Sequence, residues 1–125
     1  MKIDTAIAIF IARGMVFMQL RHLGTNTKQD GSPKLYSSDE ERRYVVQGWR
    51  TDEPRQIEIP HPLLGFLEPD TCLGARLHDT GHGTFLLTGE PLTDSEALEQ
   101  LRIPAHETAV IVDIGEEQRP DAVPA

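Results

Sequence analysis

The sequence predicts an α+β fold: a mostly antiparallel sheet assembled from two hairpin-based halves, with two or three short helices. Three observations carry this. Short runs of β-branched and aromatic residues recur along the chain, each bounded by Gly, Pro, Asn, Asp or Ser. The order of these runs in residues 35–60 is echoed in residues 77–113. Between them lie segments long enough for only short helices, each with its own start and stop residues. The 125 residues suit one compact domain, expected over residues 1–114, with a flexible tail at 115–125 that is polar and carries two prolines.

Taken in order, Asp4 or Thr5 can cap a short helix that runs to Ala12 and stops at Gly14, although Ile7, Ile9 and Ile11 also alternate as a strand would. Met15 to Leu20 is a short apolar run that fits a strand. Gly24 to Lys34 is polar and glycine-containing and reads as a loop. Leu35-Tyr36 opens a strand, Ser38 to Glu41 is a turn, and Tyr44 to Trp49 is the strongest strand of the chain. Ile57-Glu58-Ile59 alternates and ends at Pro60, which reads as a guarded edge strand. His61 to Leu67 makes one or two helical turns with Pro62 near the start. Cys72 to His78 reads as one strand, Thr80 to Gly83 as a hairpin turn, and Phe85 to Gly89 as the returning strand. Thr93 or Asp94 caps a helix, Glu96 stands at capping-box spacing from Thr93, and Ala97, Leu98 and Leu101 form its apolar face. Pro104 ends that helix. Thr108 to Ile114 is nearly all apolar and reads as a strand inside the sheet.

Two halves of the chain share an order of elements. Leu35 to Asp39 leads to Tyr44 to Gly48 and then Thr51-Asp52; Leu77 to Gly81 leads to Phe85 to Gly89 and then Thr93-Asp94. Each half then reaches a later strand, and the second inserts Ser95 to Glu107 before its own. A three-stranded half cannot bury both faces alone, so two halves are expected to share one core.

Charge narrows the function classes. The formal net charge is -8, and it is carried by residues 61–125, where twelve acidic residues meet three basic ones. Such a surface repels phosphate backbones, which argues against direct nucleic-acid binding and for a basic protein partner; acidity that serves only solubility is the competing reading. Ile3 to Leu20 is apolar but contains Asp4 and Arg13, each costing about 2.5–3.5 kcal/mol at the centre of a spanning helix, so no membrane segment is expected and the protein reads as soluble and cytoplasmic. The single cysteine, Cys72, excludes an intrachain disulfide and fits a reducing compartment.

No catalytic motif emerges, and no cofactor or metal is called for. His78, Asp79 and His82 around the hairpin are the residue types that bind ligands or zinc, but their spacing is no zinc pattern and solvated turn histidines explain them equally. Cys72 with His78 has the chemistry of a thiolate pair, against which a cysteine at the start of a buried strand is ordinarily a small hydrophobe. Ser95 is better explained by a helix start than as a nucleophile, and Gly81 and Gly83 by a hairpin than as a phosphate cradle. The candidate interaction surface is Arg42, Arg43, Trp49, Arg50 and Arg55, because Arg and Trp are enriched at interface hot spots. Strand alternation sends Tyr44 and Trp49 to opposite faces, so one of them must meet a second layer or a partner.

The strings LYSSDEERRYVVQGWRTDEP and GTFLLTGEPLTDSEALEQLRIPAHETAVIVD resemble small acidic actinobacterial proteins of unknown function encoded beside helix-turn-helix regulators, over roughly residues 35–113. The resemblance implies an accessory regulatory protein, non-enzymatic, whose partner is a DNA-binding regulator, and it supplies no catalytic residue. The alternative is a small-molecule sensor or small enzyme that uses the 24–34 loop and the 78–83 hairpin. A homodimer joined at an unpaired sheet edge is a further expectation.

Overall fold

A computed structural model describes residues 19–25 and 33–116. Within them lie nine strands: β1 (Arg21–Thr25), β2 (Lys34–Ser38), β3 (Arg43–Arg50), β4 (Gln56–Pro60), β5 (Thr71–Gly74), β6 (Leu77–Asp79), β7 (Thr84–Thr88), β8 (Glu90–Pro91) and β9 (Glu107–Glu116). A 3-10 helix spans His61–Phe66, and one α-helix, α1, spans Ser95–Leu101.

All nine strands belong to one antiparallel sheet, which is closed not by pairing alone but by chain segments that pass from one partner strand to another. β3 pairs with β2 and β4 along one edge and with β9 along the other. β4 pairs with β7, and β7 continues through Gly89 into β8, which pairs with β9. A second closure runs from β7 to β6, back through the bend at Ala75-Arg76 to β5, and so to β9. The chain can change partners so sharply because glycines stand at the closest backbone approaches. A Cβ at Gly89 would lie 2.8 Å from the Ile111 carbonyl oxygen, and one at Gly74 would lie 2.8 Å from that of Asp113.

Closure gives the sheet a dry interior. The inward residues alternate along each strand: Tyr44 and Val46, Ile57 and Ile59, Leu73, Leu87, Val110 and Val112, with Leu35 and with Leu63 of the 3-10 helix. Tyr44 is fully buried, and its phenol is satisfied by Thr71 Oγ1 at 2.6 Å and by the Glu68 backbone N–H at 3.0 Å. A second cluster lies on the outside of β2, β3 and β9, where Tyr36, Val45, Ala109 and Ile111 pack against Leu92, Ala97 and Leu101. β3 is therefore buried on both faces, which resolves the opposed directions of Tyr44 and Trp49: Tyr44 fills the interior, and Trp49 stands half-buried outside.

Several expectations are corrected. The fold is sheet-dominated rather than α+β: 52% of the described residues are strand and 14% helical, and among them the only helix of seven residues or more is α1. The physical reason is closure, because a sheet that buries its inner face against itself needs no helical layer there. β4 is not an edge: it pairs on both sides, and Pro60 is tolerated as its last residue. The single strand expected over Cys72–His78 is two, β5 and β6, paired with different neighbours. β9 runs to Glu116, so Gly115 and Glu116 are sheet rather than tail. Asp94, not Thr93, caps α1, accepting from the backbone N–H groups of Glu96 and Ala97, so Glu96 does not sit at a capping-box position. Leu98 is 36% exposed and lies off the buried face formed by Ala97 and Leu101. The expected helix at 5–12, most of the 15–20 run, residues 26–32 of the loop and residues 117–125 lie outside the described residues.

Candidate functional site

The outer face of the closed sheet carries one unbroken cross-strand row. Glu107 of β9 is opposite Trp49 of β3, Trp49 is opposite Glu58 of β4, Glu58 is opposite Leu86 of β7, and Leu86 is opposite His78 of β6. Directly opposed residues share a face, so these side chains stand side by side. Trp49 and Leu86 are half-buried and His78 is exposed; none of the three belongs to the cluster that packs under α1.

The carboxylates of the row are held in different ways. Glu58 Oε2 accepts from the Thr84 hydroxyl at 2.6 Å and lies 3.3 Å from His82 Nε2, which ties the hairpin turn to β4. Glu107 is fully buried, and its Oε1 accepts from Gln47 Nε2 at 2.7 Å. Gln47 Oε1 and Glu107 Oε2 have no hydrogen-bond partner, although His106 Nε2 stands 3.4 Å from Glu107 Oε2. The turn before Glu107 is clipped to the end of β3: the Arg50 backbone N–H donates to His106 O at 3.0 Å and Arg50 Nε donates to Ala105 O at 2.9 Å.

The five residues of the expected interaction surface do not form one patch. Arg42 is exposed in the β2–β3 turn in a left-handed conformation, with φ of 55°. Arg43 is held between Glu90 at 3.2 Å and Asp113 at 3.5 Å, in a groove of about 280 Å³ that Gly74 and Gly89 also line. Arg50 lies seven residues further along β3, roughly 23 Å away at 3.3 Å per residue, together with Trp49. Arg55 is exposed in the turn before β4, and its carbonyl accepts from the Gly89 N–H at 2.9 Å.

The histidine group is likewise divided. Asp79 faces His61, whose Nε2 lies 3.3 Å away and whose ring stacks on Phe85 with centroids 4.1 Å apart. The Gly81 N–H donated to Asp79 Oδ1, and after it the nearby His61, hold the Asp79 carboxyl below its ordinary range. His82 goes instead with Glu58, and His78 points to the outer row. Among the described residues no three His, Cys, Asp or Glu are grouped to hold a metal ion. Gly81 and Gly83 have φ of 90° and 97°, so the turn itself requires them. Cys72 is exposed, not a buried hydrophobe, because β5 turns it outward opposite Gly115. Of the loop expected over 24–34, Gly24 and Thr25 belong to β1 and Lys34 to β2, with Thr25 paired opposite Lys34.

Glu58, His61, Gln47 and Glu107 were not legible as site residues. The one available signal was polarity where a strand reads apolar: Gln47 inside YVVQGW, and Glu107 at the head of TAVIVDI. Among the described residues no helix is long and apolar enough to cross a membrane. Comparison with protein-family models, curated proteins and solved structures finds no match to this chain.

Proposed function

We propose that this is a non-enzymatic interaction protein that engages a basic partner protein through the outer sheet face around Trp49. The observation that carries the reading is the row Glu107–Trp49–Glu58, in which a half-buried indole stands in direct register between two carboxylates. An aromatic face flanked by negative charge suits the Lys and Arg side chains of a partner, and the net charge of -8 draws such a partner in from a distance. The resemblance to actinobacterial proteins encoded beside helix-turn-helix regulators makes a DNA-binding regulator the specific partner of this proposal, and the cytoplasm its compartment.

The test is a calorimetric titration of the full chain with a decapeptide of alternating Lys and Arg, and with a Glu-rich decapeptide as control. The basic peptide binds, its affinity falls as salt is raised, and Trp49→Ala and Glu58→Gln each weaken it. Equal binding of the two peptides, or undiminished binding by a folded Trp49→Ala protein, defeats the reading.

A second reading, a small-molecule sensor at the 78–83 hairpin, rests on His61, whose buried Nε2 faces the Asp79 carboxylate at 3.3 Å and whose ring lies against Phe85.

A further inference from the structure

We infer that Gln47 and Glu107 form a cation-accepting notch beside Trp49 that takes a single guanidinium or ammonium group from the basic partner. The inference rests on the interaction reading above and names its anchor. Three features of the pair support it.

The first is hydrogen-bond arithmetic. Gln47 and Glu107 are 1% and 0% exposed, and the one bond between them leaves Gln47 Oε1 and Glu107 Oε2 without donors. Buried acceptors of this kind are ordinarily satisfied, and a buried carboxylate above all. What the pair lacks is a group with at least two N–H donors and no acceptor, and among side chains that describes Arg and Lys.

The second is charge. Among the described residues the only group within 4 Å of Glu107 able to carry positive charge is His106, whose side chain is 68% exposed and lies outside the pair. Arg50, nearby, spends its Nε on Ala105 O. The buried carboxylate thus has only this exposed imidazole beside it and no permanent cation, an arrangement that favours an incoming one.

The third is position. Trp49 is directly opposite Glu107 in the β3–β9 register. A guanidinium that donates to the two free oxygens is placed to lie against the indole, adding a cation–π contact, and Arg fits that planar arrangement better than Lys. Because both side chains are buried, entry requires the exposed His106 side chain, 3.4 Å from Glu107 Oε2, to swing aside.

The single tryptophan supplies the readout. Argininamide with its α-amino group acetylated is titrated into the full chain while Trp49 emission is followed, with lysinamide acetylated in the same way for comparison and uncharged acetylated citrullinamide as the isosteric control. Argininamide gives a saturable change, lysinamide a weaker one and citrullinamide none. Glu107→Gln weakens argininamide about tenfold or more, the loss expected for a hydrogen bond to a charged group. His106→Ala, at an exposed site where folding is not at stake, tightens it by removing the competing imidazole. Glu99→Gln, an exposed charge on α1, changes nothing.

No saturable change with argininamide overturns the inference and means that solvent satisfies the two oxygens. So does citrullinamide binding as well as argininamide, or a folded Glu107→Gln protein binding as wild type does. Should Glu107→Gln fail to fold, His106→Ala decides, and unchanged or weaker binding by it is fatal. Binding of the basic decapeptide without argininamide removes the notch but leaves the interaction face. Argininamide binding without decapeptide binding removes the face and leaves the notch.

Discussion

Asp39 shows how much a single exposed residue can be held. Its Oδ2 accepts from Arg21 Nε at 2.9 Å, and its Oδ1 accepts from Arg21 Nη2 at 3.0 Å and from the Ser37 hydroxyl at 2.7 Å. The Arg21 hydrogen bonds first, then Ser37, lower its pKa from 3.8 to about 2. Folding lowers this pKa, so the stabilisation is complete above the unfolded value and is lost as pH falls through the folded one. Wild type should therefore lose urea resistance between pH 3.8 and about 2 more steeply than Asp39→Asn, and urea midpoints measured across that range check it. A different outcome is expected at Glu107. Glu107→Gln keeps the side-chain shape and replaces one orphaned oxygen, Oε2, with an N–H donor beside the other, Gln47 Oε1. Its urea midpoint should be no lower than that of wild type, because removing an uncompensated buried charge offsets the weaker bond to Gln47. Neither residue announced its role in the sequence. Asp39 reads as one of several turn acids, and its partner Arg21 precedes it by eighteen residues; Glu107 acquires meaning only when β9 pairs with β3.

At the scale of the element, α1 separates what the sequence pattern tells from what it leaves open. Capping residues and a terminal proline marked the helix correctly. The pattern could not choose between Thr93 and Asp94 as cap, nor between Leu98 and Leu101 as the residue that packs inward. With Asp94 as cap, Ala97 and Leu101 are one turn apart on the buried face and Leu98 is rotated away from them. Asp94→Ala should cost about 1 kcal/mol by leaving the Glu96 and Ala97 N–H donors without their shared acceptor, and Thr93→Ala much less. Leu101→Ala should cost roughly 2–5 kcal/mol and Leu98→Ala no more than about 0.5 kcal/mol. Urea melts of the four variants rank them, and equal losses at Leu98 and Leu101 would mean that the helix packs by another face. The strands were the more legible elements, since β3, β7 and β9 each carry the β-branched and aromatic runs that a pleated, buried surface favours. The break between β5 and β6 was not, because Ala75-Arg76 contains no turn former; the bend comes from the tertiary closure at Gly74.

Closure is a property of the whole molecule, and it bears on both stability and assembly. The short strand Ile57-Glu58-Ile59 read as an edge because its local sequence carries a proline and charges, yet the curved sheet wraps β7 against it. Closure depends on backbone contacts such as that at Gly48, where a Cβ would lie 2.7 Å from the Glu58 carbonyl oxygen, whereas a Cβ at Gly65 would meet nothing within 4 Å. Gly48→Ala should therefore cost on the order of 1–3 kcal/mol and Gly65→Ala almost nothing, as thermal melts would show. The same wrapping decides how a second copy could add. The pairing path ends at β6, which has only three residues and runs on through a bend into paired β5, and at β1. Among the described residues β1 is the longest strand that pairs with one neighbour only, but a register shift between His22 and Gly24 interrupts it, and its first two residues, Arg21 and His22, are exposed and polar. Bulges and charges of this kind keep strand edges from pairing with one another. The expected mass by light scattering at micromolar concentration is therefore that of one 14.0 kDa chain. A concentration-dependent rise to twice that mass would assign β1 as the joint, and replacing Leu23, on the same strand, with lysine would then return the monomer.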